Sequence, residues 1–150
     1  MLKGIDPILS PELLKIMAEM GHDDTLVLAD ANFTAMSLGV GKPIVRLPGV
    51  GMLRTVQAVT SLLPLAADVT HPVACMQVGG TEAPYLSGLQ REVVAHLQTH
   101  LPAGTGVEAV ERYAFYDQVS IAYAIVVTGE LQPWGNFILH KGVISEALVA

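Results

Sequence analysis

The chain has 150 residues, the size of one domain, with 51% hydrophobic and 15% charged residues and a net charge of −6. The negative charge and the lack of a Lys/Arg run exclude a surface that follows a nucleic-acid backbone. The sequence holds no run of 18 apolar residues and no signal-like opening, so we expect a cytoplasmic protein without a membrane span. Charged residues are scarcer than the ~25% of typical domains, which predicts that apolar surface is covered by self-association.

The hydrophobic pattern predicts helices that alternate with strands. Ser10, Pro11 and Glu12 form a helix start, and apolar residues at helical spacing continue the helix to Gly21. Further helices are predicted over 52–63, 84–100 and 114–120, and strands over 25–29, 43–46, 73–78, 107–111, 122–127 and 136–139. Residues 30–42 form a long loop, and 136–139 is expected to pair back after a turn at 129–133. This alternation indicates an α/β fold, a single layered domain over 1–150 with a central, largely parallel sheet flanked by helices.

Polar side chains stand near the predicted ends of several elements. His22 lies at a helix end and Asp30 at the exit of a buried strand, and ligands of open α/β sheets bind outside the carboxyl ends of strands. Arg112, Trp134 and Asn136 add a guanidinium, an indole and an amide. Spacing alone also allows purely structural roles: a histidine that interacts with a helix dipole, an aspartate that stabilises a turn by a hydrogen bond, and a solvent-exposed arginine.

Other candidate motifs point away from metal and nucleotide chemistry. His96 and His100 are four residues apart on a predicted helix, but no third ligand accompanies them. The lone Cys75 lies in an apolar strand and is interpreted as a buried thiol in a reducing compartment. The stretch from Gly39 to Lys42 lacks the earlier glycine and the following Ser or Thr of a phosphate loop.

Two blocks of sequence carry a resemblance to a known family. The segment GHDDTLVLAD covers residues 21–30, and TGELQPWGN covers residues 128–136. With their flanks, residues 1–33 and 112–143, they resemble the L-fucose mutarotase / D-ribose pyranase family of sugar mutarotases, in its fucose branch. The resemblance implies an isomerase that interconverts the anomers of a free monosaccharide by general acid/base ring opening.

The resemblance also implies roles for individual residues and for the assembly. His22 matches the proton donor, and the sugar-binding residues are Asp30, Arg112, Trp134, Gly135 and Asn136. We add Tyr116 as a further hydroxyl. The family implies no metal and no organic cofactor, and a ring-shaped homo-oligomer such as a decamer with sites completed between subunits.

Two departures leave the sugar open between L-fucose, D-ribose and another aldose. Trp134 stands where the family usually has tyrosine, and Asn32-Phe33-Thr34 stands where fucose members more often have His-Phe-Pro.

Two alternative functions are a non-catalytic sugar-binding accessory of monosaccharide transport and a purely structural oligomerisation module. A histidine that titrates near neutral pH suits the proton transfers of ring opening, which favours the enzyme.

Overall fold

A computed structural model describes residues 1–149, which form helices on both faces of one six-stranded sheet. The helices are α1 (Pro11–Glu19), α2 (Ala35–Leu38), α3 (Met52–Thr60), α4 (Gly88–Gln98) and α5 (Arg112–Ser120). The strands are β1 (Thr25–Ala29), β2 (Ile44–Leu47), β3 (Val73–Met76), β4 (Val107–Val110), β5 (Ala124–Thr128) and β6 (Phe137–His140). The predicted α/β class is confirmed.

The sheet has the order β2-β5-β1-β6-β3-β4 and is parallel except at β6, which confirms the prediction of a largely parallel sheet. The expectation that 136–139 pairs back onto the preceding strand is wrong. Strand β6 runs antiparallel between β1 and β3, with Val27 opposite Ile138 and Cys75 opposite Phe137. Both edges of β5 are already occupied by β1 and β2, so the returning strand has to pair elsewhere.

Local side-chain bonds decide where the helices begin and end. The Ser10 hydroxyl accepts the Leu13 N–H at the start of α1, and the Lys141 ammonium donates to carbonyl oxygens at its end. Helix α4 begins at Gly88, later than predicted, because Ser87 caps it. Helix α5 begins earlier than predicted, at Arg112, because Glu111 accepts N–H groups of its first turn.

The sheet is covered on both faces, so its central strands are largely apolar. Alternate strand residues pack against α1, α3 and α4 on one face and against α2 and α5 on the other. Residues 26–29 of β1 and 124–128 of β5 are all buried. Among the helices of residues 1–149, none has the length and apolar character to cross a membrane.

Candidate active site

A cleft of about 400 Å³ opens at one edge of the sheet. Asp30 follows β1, Arg112 comes shortly after β4, and Asn136 precedes β6. Because β6 is antiparallel, its amino end lies at the edge where the parallel strands have their carboxyl ends. The lining residues are Asp30, Asn32, Phe33, Thr34, Met76, Arg112, Tyr116, Pro133, Trp134 and Asn136. The fold thus brings both blocks of the family resemblance into one cleft.

Asp30 and Asn136 form a buried, reciprocal pair at the floor of this cleft. The Asn136 amide oxygen accepts the Asp30 backbone N–H at 2.8 Å, and Asn136 Nδ2 donates to Asp30 Oδ2 at 2.9 Å. The Asn32 backbone N–H donates to Asp30 Oδ1 at 2.9 Å. Burial raises the pKa of Asp30 above its ordinary value, although the bonds from Asn136 and Asn32 act in the opposite direction. The carboxylate is therefore a stronger proton acceptor than an exposed aspartate.

Arg112 is held over the cleft by an aromatic cluster. Its Nε donates to the Tyr116 hydroxyl at 2.9 Å, and its guanidinium carbon lies 5.4 Å from the Tyr116 ring centroid and 5.5 Å from that of Tyr113. The Tyr116 ring packs edge-on against Phe33 with 5.8 Å between centroids. Within the described part of the chain, no hydrogen bond engages the two terminal guanidinium nitrogens of Arg112. They form a fork available to adjacent oxygen atoms of a ligand.

Gln90 holds the loop that carries Trp134, and the sequence interpretation missed it. Gln90 is buried, and its Nε2 donates to the Met76 carbonyl at 2.7 Å and to the Trp134 carbonyl at 3.0 Å. The same side chain completes a capping box with Ser87. The pattern Ser87-x-x-Gln90 was the available signal, but it predicts only a helix start. Its reach to Trp134 depends on the tertiary structure.

Trp134 and Gly135 have different positions in the loop. Trp134 lines the cleft and has a φ of 66°, a conformation that non-glycine residues rarely adopt. Gly135 is buried, and a Cβ there would lie 2.9 Å from Leu89 Cδ2, so its lack of a side chain serves close packing against α4.

His22 is not part of this cleft within one chain. It precedes β1 whereas Asp30 follows it, and five strand residues span about 17 Å. The His22 ring, whose side chain is 47% exposed, lies with Nε2 3.0 Å from the carboxylate of Asp68. The hydrogen bond that the Asp68 carboxylate accepts from the imidazole raises the pKa of His22 above its ordinary value. Within one subunit, the carboxylate that orients the His22 ring is therefore that of Asp68 and not that of Asp30.

The other singled-out residues lie outside the cleft. His96 Nε2 lies 2.9 Å from the Thr60 hydroxyl, and His100 Nδ1 lies 2.9 Å from that of Thr99. Cys75 is buried between the helices and the sheet, and burial raises the pKa of its thiol to about 11. Across residues 1–149 there is no group of three or more side chains placed to hold a metal ion.

A larger groove of about 520 Å³ lies between α1 and the segment after β6. Apart from Lys141, its lining side chains are apolar, including Leu14, Met17 and Leu62. Among residues 1–149, this groove has no convergent polar groups of the kind that a hydrophilic ligand requires, so the cleft at Asp30 is the better candidate site.

Comparison with known proteins agrees with this fold. The L-fucose mutarotase of Glaesserella parasuis serovar 5 (strain SH0165) is 46% identical over 143 residues, which cover 95% of this chain and 96% of that protein. The human fucose mutarotase is 40% identical over 148 residues, with 96% and 95% covered. The crystal structure of the Streptococcus pneumoniae fucose mutarotase in complex with L-fucose superimposes with a TM-score of 0.85 at 34% identity, covering 96% of this chain and 100% of that one. The RbsD / FucU transport protein family matches residues 3–144, and the chain belongs to this family.

Proposed function

We propose that the chain is an aldose mutarotase that interconverts the α and β anomers of a free monosaccharide, with L-fucose as the first candidate. The observation that carries the proposal is the cleft in which Asp30, Asn136, Arg112 and Trp134 converge. A buried carboxylate, an amide and a guanidinium fork match the hydroxyl groups of a sugar, and the indole offers a flat apolar face to its C–H bonds. The relatives named L-fucose mutarotase support the same activity and the same sugar.

The reaction needs two proton movements and no change in oxidation state. The anomeric hydroxyl loses a proton, the ring oxygen gains one, and the C1–O5 bond breaks as the C1 carbonyl forms. Rotation about C1–C2 and the reverse steps give the other anomer. Asp30, whose pKa is raised by burial, is the proton acceptor that the cleft offers. An imidazole donor completes the exchange, and His22 is the residue that the family resemblance assigns to this step.

In this proposal His22 comes from a second copy of the chain, since β1 separates it from Asp30 in its own subunit. Its position supports this arrangement: the ring is half exposed and hydrogen-bonded to Asp68 at the opposite edge of the sheet. The active form is then a homo-oligomer in which that edge of one subunit meets the cleft of another. A closed ring, such as a decamer, satisfies this head-to-tail contact at every subunit. We also propose that the enzyme acts in the cytoplasm.

A subunit-mixing experiment tests the shared site. The single variants His22→Gln and Asp30→Asn are each expected to lose anomer exchange as homo-oligomers. When both are co-expressed with different tags and purified through both tags, a random 1:1 assembly restores about a quarter of the sites if His22 and Asp30 come from different copies. If His22 and Asp30 of each site came from the same chain, every site would carry one of the two substitutions. Activity would then stay at the level of the single variants.

The substrate is tested by saturation-transfer NMR, which measures exchange between anomers at equilibrium. We expect L-fucose to exchange fastest among L-fucose, D-ribose, D-galactose and L-rhamnose. Faster exchange of D-ribose would contradict the assignment of the sugar but not that of the reaction.

A sugar-binding accessory protein without catalysis is the second candidate. It is favoured by one observation: within residues 1–149, the cleft of a single chain includes no histidine. The same NMR panel separates the two functions, because an accessory protein binds a sugar without accelerating exchange between its anomers.

A further inference from the structure

The indole of Trp134 lies directly on the backbone of Gly79. A Cβ atom at position 79 would be 2.7 Å from Trp134 Cζ2 and 2.8 Å from Cη2, closer than side-chain Cβ contacts in proteins. Gly79 does not have a positive φ, so its backbone conformation does not require glycine. Glycine is needed at position 79 because a side chain there would occupy the space of the indole.

The turn that carries Gly79 is held in place by its own side-chain bonds. Gln77 Nε2 donates to the Thr81 hydroxyl at 2.7 Å, and that hydroxyl donates to the Val78 carbonyl at 2.8 Å. The Thr81 backbone N–H donates to the same carbonyl at 3.2 Å. A side chain added at Gly79 therefore cannot be accommodated by a small shift of a loose loop.

The backbone of Trp134 is equally restrained, because Gln90 holds its carbonyl oxygen. The part that can respond to a side chain at position 79 is the indole itself, by rotation about its side-chain torsions. Trp134 and Arg112 line both the 400 Å³ cleft and a neighbouring cleft of about 250 Å³ that includes Gly79. The indole thus forms part of the wall of both clefts, and any rotation of the indole changes the width of both.

We propose that Gly79 is a positioning residue: its bare backbone seats the indole of Trp134 and thereby sets the width of the sugar cleft. The inference rests on the proposed function, because it concerns the same cleft and the same monosaccharide. Gly79 does not line the 400 Å³ cleft and acts on it through Trp134, so its effect has to disappear when the outer ring of the indole is removed. A phenyl ring at position 134 lacks the ring atoms that meet Gly79.

A double-mutant cycle tests this dependence with Gly79→Ala, Trp134→Phe and the combined variant, and with Gly88→Ala as the matched control. Gly88 is the exposed first residue of α4 and lines neither cleft, and a Cβ there would be 3.8 Å from its nearest neighbour, an ordinary contact. We expect Gly79→Ala to raise KM for L-fucose by about 10-fold or more with a smaller change in kcat, and to change KM less than about 2-fold in the Trp134→Phe background. Gly88→Ala should leave KM unchanged.

Fluorescence gives a readout that does not depend on catalysis, because Trp134 is the only tryptophan of the chain. In the sugar-free protein, Gly79→Ala should shift the emission maximum and change iodide quenching, while Gly88→Ala should do neither. Equal effects of Gly79→Ala on KM in both backgrounds, or unchanged emission and KM, would overturn the proposal. If the parent protein exchanges no sugar, the proposed mutarotase function fails, and KM is replaced by the dissociation constant from fluorescence titration. If no sugar binds either, the role of Gly79 in shaping a sugar cleft is overturned as well, whatever the emission shows.

Discussion

Replacement of Asn136 by leucine should destabilise the protein and make its stability more dependent on pH. The substitution keeps a side chain of similar size but removes the acceptor of the Asp30 backbone N–H and the donor to the Asp30 carboxylate. Asp30 is 6% exposed and Asn136 is 3% exposed, so water cannot readily replace either bond. A neutral hydrogen bond contributes about 1 kcal/mol and one to a charged group about 1.5–3 kcal/mol, so the expected loss in unfolding free energy at pH 7 is about 2.5–4 kcal/mol.

The sign of the pH dependence follows from the raised pKa of Asp30. The folded protein binds this proton more tightly than the unfolded chain does. The unfolding free energy therefore falls as the pH rises from the ordinary aspartate range through the raised pKa of the folded state. Asn136→Leu removes the bond that lowers this pKa most, so the fall should become larger and extend to higher pH.

Urea unfolding of the parent, Asn136→Leu, Asp30→Asn and the double variant, at several pH values between 4 and 7, measures both effects. Asp30→Asn removes the titrating group, so stability should then change less over this range and the effect of Asn136→Leu should be smaller. Two results would refute the reasoning: a loss at pH 7 below about 1 kcal/mol, or the same loss in the Asp30→Asn background.

Three further substitutions or reactions test other parts of the structure. Gln90→Leu leaves two carbonyl groups without their donor and should lower the unfolding free energy by about 2–3 kcal/mol in urea, whereas Gln98→Leu on the exposed face of the same helix should change it by less than about 0.5 kcal/mol. Cys75, with a thiol pKa of about 11, should resist a disulfide reagent at pH 8 until denaturant is added, and rapid labelling of the native protein would contradict its burial. Arg112→Lys loses the Nε bond to Tyr116 and the guanidinium fork, so KM should rise about 10-fold, while the exposed position predicts a change in unfolding free energy below about 1 kcal/mol.

Much of the fold could be predicted because local sequence carries it. The run at Thr25–Ala29 has the bounds of β1, since four consecutive apolar residues after Thr25 are typical of a strand covered on both faces. The cap at Ser10 marks the start of α1, and Asp30 was placed at the carboxyl end of a buried strand from its position alone. These features depend on residues within a few positions of one another.

Tertiary structure decided the features that join distant residues. No periodicity indicates that β6 enters the sheet between β1 and β3, or that Gln90 reaches the Trp134 carbonyl 44 residues away. The separation of His22 from Asp30 likewise became clear only when the strand between them was placed in the sheet. Hydrophobic spacing reports which face of an element is buried, but the partner it is buried against is selected by the packing of the whole chain. Local sequence thus indicates several of the residues that line the cleft, whereas the arrangement of those residues in space is decided by the tertiary structure.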